Sequence, residues 1–468
     1  MINLNQLTIK QAREGLAKKE FSSVEIVNDC LNQIEKHDKQ LNAFLTVAKN
    51  EALAQAKQID QDPQNLPLEG IPIALKDLYS TKGIKTTAGS NVLSDYIPPY
   101  DATVVTKLKS AGAIIIGKTN EDAWGHGASG ENSDFGPTKN PWNLSKVSGG
   151  SSSGSAAALA SDMCLASGGT DTGGSIRLPA SFCNLVGLKP TYGRVSRYGI
   201  SAMASSLDTI GHFTKTVYDN ALYLQVTAGK DPLDATTPEV AVPQYLDEIN
   251  TLDLTKLRIG IPKEYFIKGI DLQVESSVKE AIKFLLEQGA RVEEISLPHT
   301  QDGIAVYYIV MSSETSSNLG RYDGIRYGNK RDNFGNEARR RIMLGTYSLS
   351  SGYYDAYYKK AMQVRTLIKQ DFEKAFQKVD VIITPVGATP AFELGAKQDP
   401  LQMYLSDIFT APASLAGLPA LSVPCGFTSS NLPIGMQLIG AQFNESKLFQ
   451  VGHFYEQAHE YYKHKPII

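Results

Sequence analysis

Two stretches rich in glycine and hydroxyl side chains stand close together in the first half of the chain. They are VSGGSSSGSAAALA, residues 147–160, and LASGGTDTGGSIRLPA, residues 165–180. Such segments serve as flexible linkers, as phosphate-binding loops or as loops that carry a nucleophilic serine. Both lie between well-patterned elements, which disfavours the linker interpretation. The remaining hypotheses are anion binding and serine chemistry.

Phosphate binding has little support from the motifs. A P-loop requires GxxxxGK[ST], and a dinucleotide-binding loop requires GxGxxG after a strand. Neither pattern occurs in the two segments. Gly173, Gly174 and Ser175 could still present backbone N–H groups to an anion if a helix begins there.

Residues 150–154, GSSSG, match the GxSxG nucleophile elbow of α/β-hydrolases. That motif requires a central strand directly before it and a later acid and histidine. The preceding residues, NPWNLSKVS, include a proline and two asparagines and do not read as a central strand. No local context singles out any of the later histidines, which are His212, His299, His453, His459 and His464. A Ser-His-Asp triad is therefore disfavoured.

A serine hydroxyl can use a neutral lysine as its base instead. Lys76 ends the apolar run GIPIALKD, residues 70–77. Burial disfavours the ammonium form and lowers the pKa of a lysine. The adjacent Asp77 offers the alternative that Lys76 forms a salt bridge at the end of a strand. Spacing alone leaves both interpretations open.

Three segments, taken in order, resemble the amidase-signature family. They are GIPIALKD, GGSSSGSAAALA and GGTDTGGSIRLPASFCNLVGLKPTYGRVSRYG. The resemblance implies a Ser-Ser-Lys triad, with Ser175 as nucleophile, Ser151 as bridging serine after a cis peptide bond, and Lys76 as base. It also implies an oxyanion hole built from the backbone of Thr172, Gly173, Gly174 and Ser175.

Later segments are similar to one branch of that family, the glutamine-hydrolysing subunits of tRNA-dependent amidotransferases. They include residues 296–328, 339–369, 399–426 and 433–440. This likeness implies that Asp407 and Arg341 bind the α-amino and α-carboxylate groups of glutamine, with Tyr307 nearby. Arg341 is one of three consecutive arginines, so its assignment is weaker than that of Ser175. Trp124 and His126 depart from the phenylalanine and methionine usual in the branch.

The same resemblance implies a heterotrimer. This chain would hydrolyse glutamine and would need no cofactor. The ammonia would pass to a B subunit that holds ATP and Mg²⁺ and most contacts to Glu-tRNA(Gln), and a small C subunit would clasp the two. The partner subunits and the misacylated tRNAs of the cell would decide whether Asp-tRNA(Asn) is also amidated. A free-standing amidase of the same family is the alternative.

The elements that must position these residues alternate between strands and helices. Short apolar runs predict strands at residues 71–77, 111–120, 257–266 and 379–387, with a late strand pair between 420 and 440. Residues 5–60, 274–290 and 351–378 predict helices, with Ser22 or Ser23 as a helix cap. The alternation predicts an α/β fold with a mixed sheet. The resemblance specifies the amidase-signature fold, a central mixed β-sheet flanked by helices.

A single domain over residues 1–468 is the expected organisation. It comprises an N-terminal helical segment (1–60), a signature core with the catalytic loops (70–215) and the remaining α/β part with the substrate-binding residues (216–468). The chain is 42% hydrophobic and 20% charged with a net charge of −3, so no excess of basic charge points to autonomous nucleic-acid binding.

The four cysteines, which are Cys30, Cys164, Cys183 and Cys425, show no paired spacing and are interpreted as buried small side chains. Neither a metal site nor a membrane span is expected. The N-terminal residues lack an apolar targeting segment, so a cytoplasmic location is expected.

Overall fold

The computed structural model describes residues 3–325, 328–397 and 399–468. The strands are β1 (Phe44–Val47), β2 (Pro72–Lys76), β3 (Ile114–Thr119), β4 (Lys139–Asn140), β5 (Asn143–Val147), β6 (Ala166–Asp171), β7 (Val186–Lys189), β8 (Thr209–Thr214), β9 (Arg258–Pro262), β10 (Arg291–Ile295), β11 (Val381–Pro385), β12 (Ala420–Phe427) and β13 (Pro433–Ile439).

The helices are α1 (Ile9–Ala17), α2 (Ser23–Leu41), α3 (Lys49–Gln61), α4 (Thr103–Ser110), α5 (Ser153–Ala160), α6 (Arg177–Phe182), α7 (Val217–Thr227), α8 (Tyr245–Glu248), α9 (Leu272–Glu287), α10 (Gly303–Asn318), α11 (Asn336–Ser348), α12 (Lys360–Ala375), α13 (Pro400–Tyr404), α14 (Ala411–Leu415) and α15 (Glu445–His459). Among the residues that the model describes, no helix is long and apolar enough to span a membrane.

One large mixed sheet organises the described residues. Its order is β1-β3-β2-β6-β8-β7-β12-β13-β11-β9-β10. β2 pairs in parallel with β3 and β6, and β9 pairs in parallel with β10 and β11, whereas the other neighbours are antiparallel. The prediction of a mixed α/β sheet is confirmed. The strands predicted around residues 71–77, 111–120, 257–266 and 379–387 and between 420 and 440 are all present.

The glycine-rich segment 165–180 is not a flexible loop over its whole length. Its first half forms the buried strand β6. A Cβ on Gly169 would lie 2.8 Å from the ring of Phe213, and one on Gly168 would lie 3.1 Å from Leu75. These glycines therefore allow close packing between neighbouring strands, and only residues 172–176 form the turn before α6.

Two further differences concern the predicted helices. The N-terminal segment contains β1, which pairs antiparallel with β3, beside helices α1, α2 and α3. The helix predicted over residues 351–378 is shorter, because a π-helical turn over Asp355–Lys359 precedes α12. Ser22 caps α2 in a capping box with Glu25, as predicted. All four cysteines are buried and free, which confirms their interpretation as small buried side chains.

Candidate active site

Lys76 lies at the carboxyl end of β2, between the parallel neighbours β3 and β6. Its side chain is fully buried. Nζ lies 2.7 Å from Ser151 Oγ and 2.9 Å from Thr170 Oγ1. Thr170 is a site residue that the sequence pattern does not single out. Its position in the hydroxyl-rich motif, two residues before Thr172, is the signal that could have indicated it.

The pKa of Lys76 is lowered by burial, although nearby carboxylates oppose the shift. These carboxylates belong to Glu121, Asp122, Asp171 and Asp208. Asp77, the salt-bridge partner that the sequence suggested for Lys76, instead faces Lys118 with a distance of 3.4 Å from Lys118 Nζ to Asp77 Oδ1. Lys76 is therefore available to Ser151.

Ser151 and Ser175 lie on two adjoining turns. Ser151 precedes α5, and the Gly150–Ser151 peptide bond is cis, as the resemblance implies. Ser175 precedes α6 and is 7% exposed. Ser152 N donates to Ser175 O at 3.2 Å, which joins the two turns. Within the described residues the hydroxyls of Ser151 and Ser175 form no hydrogen bond with each other, and Ser151 Oγ accepts from Lys76 Nζ.

A buried ion pair fixes the turn that carries Ser175. Arg177 Nη2 donates to Asp171 Oδ1 at 2.8 Å, and the backbone N–H of Ile176 donates to Asp171 Oδ2 at 3.1 Å. Burial by itself would raise the pKa of Asp171, but the cation of Arg177 outweighs it and lowers that pKa. Sequence reasoning assigned no role to this pair, although both residues stand in the motif DTGGSIR.

The predicted oxyanion hole is consistent with the backbone geometry. In the described part of the chain, the N–H groups of Thr172, Gly173, Gly174 and Ser175 donate no hydrogen bonds. A Cβ on Gly173 would lie 2.5 Å from the ring of Tyr307, so this turn approaches its neighbours too closely for a side chain. Four donors and the nucleophile thus share one turn.

Two of the three predicted glutamine-binding residues, Tyr307 and Asp407, lie against this same turn. A Cβ on Gly174 would lie 3.3 Å from Asp407 Oδ1, and Tyr307 covers Gly173. Tyr308 OH donates to Asp407 Oδ2 at 2.9 Å. The sequence did not single out Tyr308, because no motif distinguishes it from the adjacent Tyr307.

Arg341 is the buried member of the three consecutive arginines. It is 3% exposed, whereas the side chain of Arg340 is 43% exposed. Arg341 Nε donates to Glu337 Oε1 at 2.8 Å, and its guanidinium lies 5.2 Å from the ring centre of Tyr308. Arg341 and Asp407 therefore both contact Tyr308 of α10, which is the chain neighbour of Tyr307.

Asp407 is a buried carboxyl group with a shifted pKa. Burial raises its pKa to about 7, although Tyr308 and Arg341 oppose the shift. A bound cation would favour the carboxylate.

Trp124 and His126 lie in the segment that covers Ser151. The intervening Gly125 is so close that a Cβ there would be 3.7 Å from Ser151 Oγ. Trp124 packs on Tyr322 with ring centres 4.6 Å apart. His126 is fully buried, its Nε2 lies 3.4 Å from Thr315 Oγ1, and burial holds its pKa well below its usual range. The two departures from the branch pattern thus border the site.

The nucleophile-elbow alternative does not fit the fold. The strand before residues 150–154 is β5, which belongs to a separate two-stranded sheet with β4. Among the later histidines, His212 stacks on Tyr223 and its Nε2 lies 2.9 Å from Asn220 O, within the large sheet region. The side chain that contacts Ser151 Oγ is instead that of Lys76.

Comparisons with known proteins agree with this architecture. A family model described as Amidase matches residues 25–449. The A subunit of glutamyl-tRNA(Gln) amidotransferase from Desulfatibacillum aliphaticivorans is 53% identical over 482 residues, covering 99% of each chain. The crystal structure of the protein of the same name from Thermotoga maritima is 42% identical, with a TM-score of 0.86 and 98% and 96% coverage of the two chains.

A peptide amidase solved with the inhibitor chymostatin is 28% identical, with a TM-score of 0.87 over 98% of this chain and 99% of that chain. The family model and the relatives span nearly the whole sequence. Together with the fold, they establish that the chain belongs to the amidase-signature family of enzymes.

Proposed function

We propose that this chain hydrolyses the side-chain amide of glutamine through Ser175, Ser151 and Lys76. The observation that carries the proposal is the buried contact of 2.7 Å between Lys76 Nζ and Ser151 Oγ, next to the turn that holds Ser175. A lysine buried in this way is an effective base because its neutral form is favoured.

In the proposed first step, Lys76 takes the proton of Ser151, and Ser151 takes the proton of Ser175. Ser175 Oγ then forms a bond to the amide carbon of glutamine. The carbonyl oxygen gains the negative charge and accepts hydrogen bonds from the N–H groups of residues 172–175. Each such donor contributes about 3–4 kcal/mol of stabilisation to the transition state.

In the second step the carbon–nitrogen bond breaks. The proton on Lys76 returns through Ser151 to the leaving nitrogen, which departs as ammonia. Water then attacks the glutamyl ester on Ser175 and releases glutamate. The same relay accepts the proton of that water and returns it to Ser175 Oγ as the ester bond breaks, so Lys76 acts as base in both halves of the reaction.

Glutamine is favoured over a simple amide by the two groups beside the nucleophile. Arg341 can bind the α-carboxylate, and Asp407 can bind the α-ammonium group. An amide without these charged groups would leave Arg341 and Asp407 only their partners within the chain, Glu337 and Tyr308, and would gain no charge-assisted contact from them. That arrangement disfavours its binding.

We further propose that the chain acts as the glutaminase component of a tRNA-dependent amidotransferase. The full-length similarity to proteins named as A subunits of glutamyl-tRNA(Gln) amidotransferase supports this assignment. A partner B subunit would bind ATP and Mg²⁺ and use the ammonia to convert Glu-tRNA(Gln) to Gln-tRNA(Gln). A C subunit would complete the heterotrimer.

The decisive experiment measures glutamine hydrolysis by the chain alone and co-expressed with B and C subunits, with and without Glu-tRNA(Gln) and ATP. We expect weak activity alone, an increase with the complete set, and no activity for Ser175→Ala. Near-normal turnover by that variant would refute the nucleophile assignment.

The free-standing amidase alternative is supported by the structural likeness to a peptide amidase. It predicts rapid hydrolysis of simple amides and no response to the partner subunits. The same assay therefore separates the two functions.

A further inference from the structure

Glu121 is a buried carboxyl beside the proposed base. It follows β3 by two residues and is 0% exposed. Its Oε2 lies 3.7 Å from Lys76 Nζ. Within the described residues, neither of its carboxyl oxygens has a hydrogen-bond partner. The proposed mechanism leaves this group without a role.

The neighbouring buried pair, Asp77 and Lys118, shows what a structural ion pair looks like in this region. Asp77 Oδ2 accepts from Thr87 N at 2.7 Å, and Lys118 Nζ donates to Tyr79 O at 2.6 Å and to Thr86 Oγ1 at 2.7 Å. Both members of that pair are thus anchored by further hydrogen bonds. Glu121 has no such anchors among the described residues, where Lys76 is the cation within 4 Å of its carboxyl group.

A buried carboxylate without hydrogen bonds costs several kcal/mol unless a cation or a proton neutralises it. Lys76 and Glu121 can meet this requirement in two ways with the same number of protons. The proton can lie on nitrogen, which gives an ion pair, or on the carboxyl oxygen, which gives two neutral groups. Only the second arrangement leaves Lys76 free to act as a base.

We propose that Glu121 is a positioning residue that holds a shared proton on Lys76 as a buried ion pair and so raises the pH at which Lys76 becomes a free base. The inference rests on the proposed function of Lys76. Burial raises the pKa of Glu121, and burial lowers the pKa of Lys76. Both shifts favour the neutral arrangement, while the attraction between the charges favours the ion pair.

Other charged groups surround the pair and must be considered. Those facing Lys76 besides Glu121 are Asp122, Asp171 and Asp208, and those facing Glu121 are Asp77, Lys118 and Asp122. All of them remain in a Glu121→Gln variant. A change in the pH dependence of that variant therefore reports on the carboxyl of Glu121.

The test uses the full chain and a probe that needs no glutamine-binding residue. Phenylmethanesulfonyl fluoride reacts with an activated serine, forming a sulfur–oxygen bond as fluoride leaves and the serine proton passes to the base. We would measure the rate of inactivation against pH for the wild type and Glu121→Gln. The glutamine side chain carries no charge to hold the proton on Lys76. The acid limb, which is the fall of the inactivation rate at low pH, should therefore shift to lower pH by about one unit or more.

The matched control is Glu131→Gln, in the same segment of the chain, where the carboxylate accepts from Gly395 N at 2.7 Å and is partly exposed. Its acid limb should equal that of the wild type. The conservative variant Glu121→Asp retains a carboxyl and should return the limb toward the wild-type position. If Glu121→Gln does not fold, Glu121→Met supplies the same measurement with an apolar side chain of similar size.

If the acid limb of folded Glu121→Gln equals that of the wild type, the proposal is overturned, whether or not the maximal rate is lower. Glu121 would then have a structural role only. Failure of the wild type to react at any pH, or equal reaction of Ser175→Ala, would instead refute the triad on which the proposal rests.

Discussion

Lys76 Nζ lies 2.7 Å from Ser151 Oγ, although 75 residues separate the two along the chain. The contact forms because β2 ends where the turn before α5 begins, and α5 packs against β2. Burial lowers the pKa of Lys76 and so favours the neutral amine that the proposed activation of a serine requires. The same burial reduces the stability of the folded state, because an ionisable side chain leaves water.

Replacing Lys76 with methionine tests both consequences. Glutamine hydrolysis should fall by about 10²–10⁴-fold, because the relay loses its base. The folded-state pKa of Lys76 is lowered, so between that pKa and the ordinary lysine pKa the unfolded chain binds more protons than the folded chain. Wild-type stability should therefore rise relative to Lys76→Met as the pH increases toward the ordinary lysine pKa of about 10.

Denaturant unfolding of both proteins at several pH values, with glutaminase assays in parallel, would check this pair of effects. A parallel pH dependence of the two stabilities would contradict the lowered pKa.

Arg341 and Arg340 offer a matched pair of substitutions. Arg341→Lys should raise KM for glutamine roughly 10- to 100-fold, because a planar, two-pronged contact to a carboxylate is worth about 1.5–3 kcal/mol. Arg340→Lys should leave KM unchanged, because the side chain of Arg340 is 43% exposed and a lysine there keeps a positive charge beside Glu337. Equal effects of the two changes would show that Arg341 does not bind the substrate.

The pKa of about 7 for Asp407 predicts pH-dependent binding of glutamine. Below that pKa the carboxyl protonates and no longer attracts an α-ammonium group. The Kd of glutamine for the Ser175→Ala variant should then rise roughly tenfold per pH unit. Calorimetric titration across about one and a half pH units on either side of that pKa would measure this. The further change Asp407→Asn should give weak binding that varies little with pH.

The turn around Gly174 should not tolerate a side chain. A Cβ there would lie 2.3 Å from Thr410 Oγ1, and φ is +153°. Gly174→Ala should displace the turn and weaken the oxyanion contacts, lowering kcat about 10²–10³-fold if one donor is lost. A control is Gly269→Ala, where φ is also positive but no atom lies within 4 Å of the added carbon, and kcat should remain unchanged.

Several elements can be predicted from local pattern alone. The apolar runs that form β2, β3, β9 and β11 predict these strands correctly, because buried strands of a mixed sheet read as short, continuous apolar stretches. Strand β6 escapes such a prediction, because Gly168 and Gly169 carry no strand signal. Those glycines are required by the side chains of Phe213 and Leu75, which come from distant parts of the chain.

The sequence by itself determined the mixed α/β class, and its motifs identified Lys76, Ser151, Ser175, Asp407 and Arg341 as candidates. Only the tertiary structure decided that Arg341 and not Arg340 is buried, that Asp77 pairs with Lys118, and that Glu121 stands beside Lys76. The reason is physical: motifs fix the chemical type of a residue, whereas burial and charge partners depend on which strands and turns lie side by side.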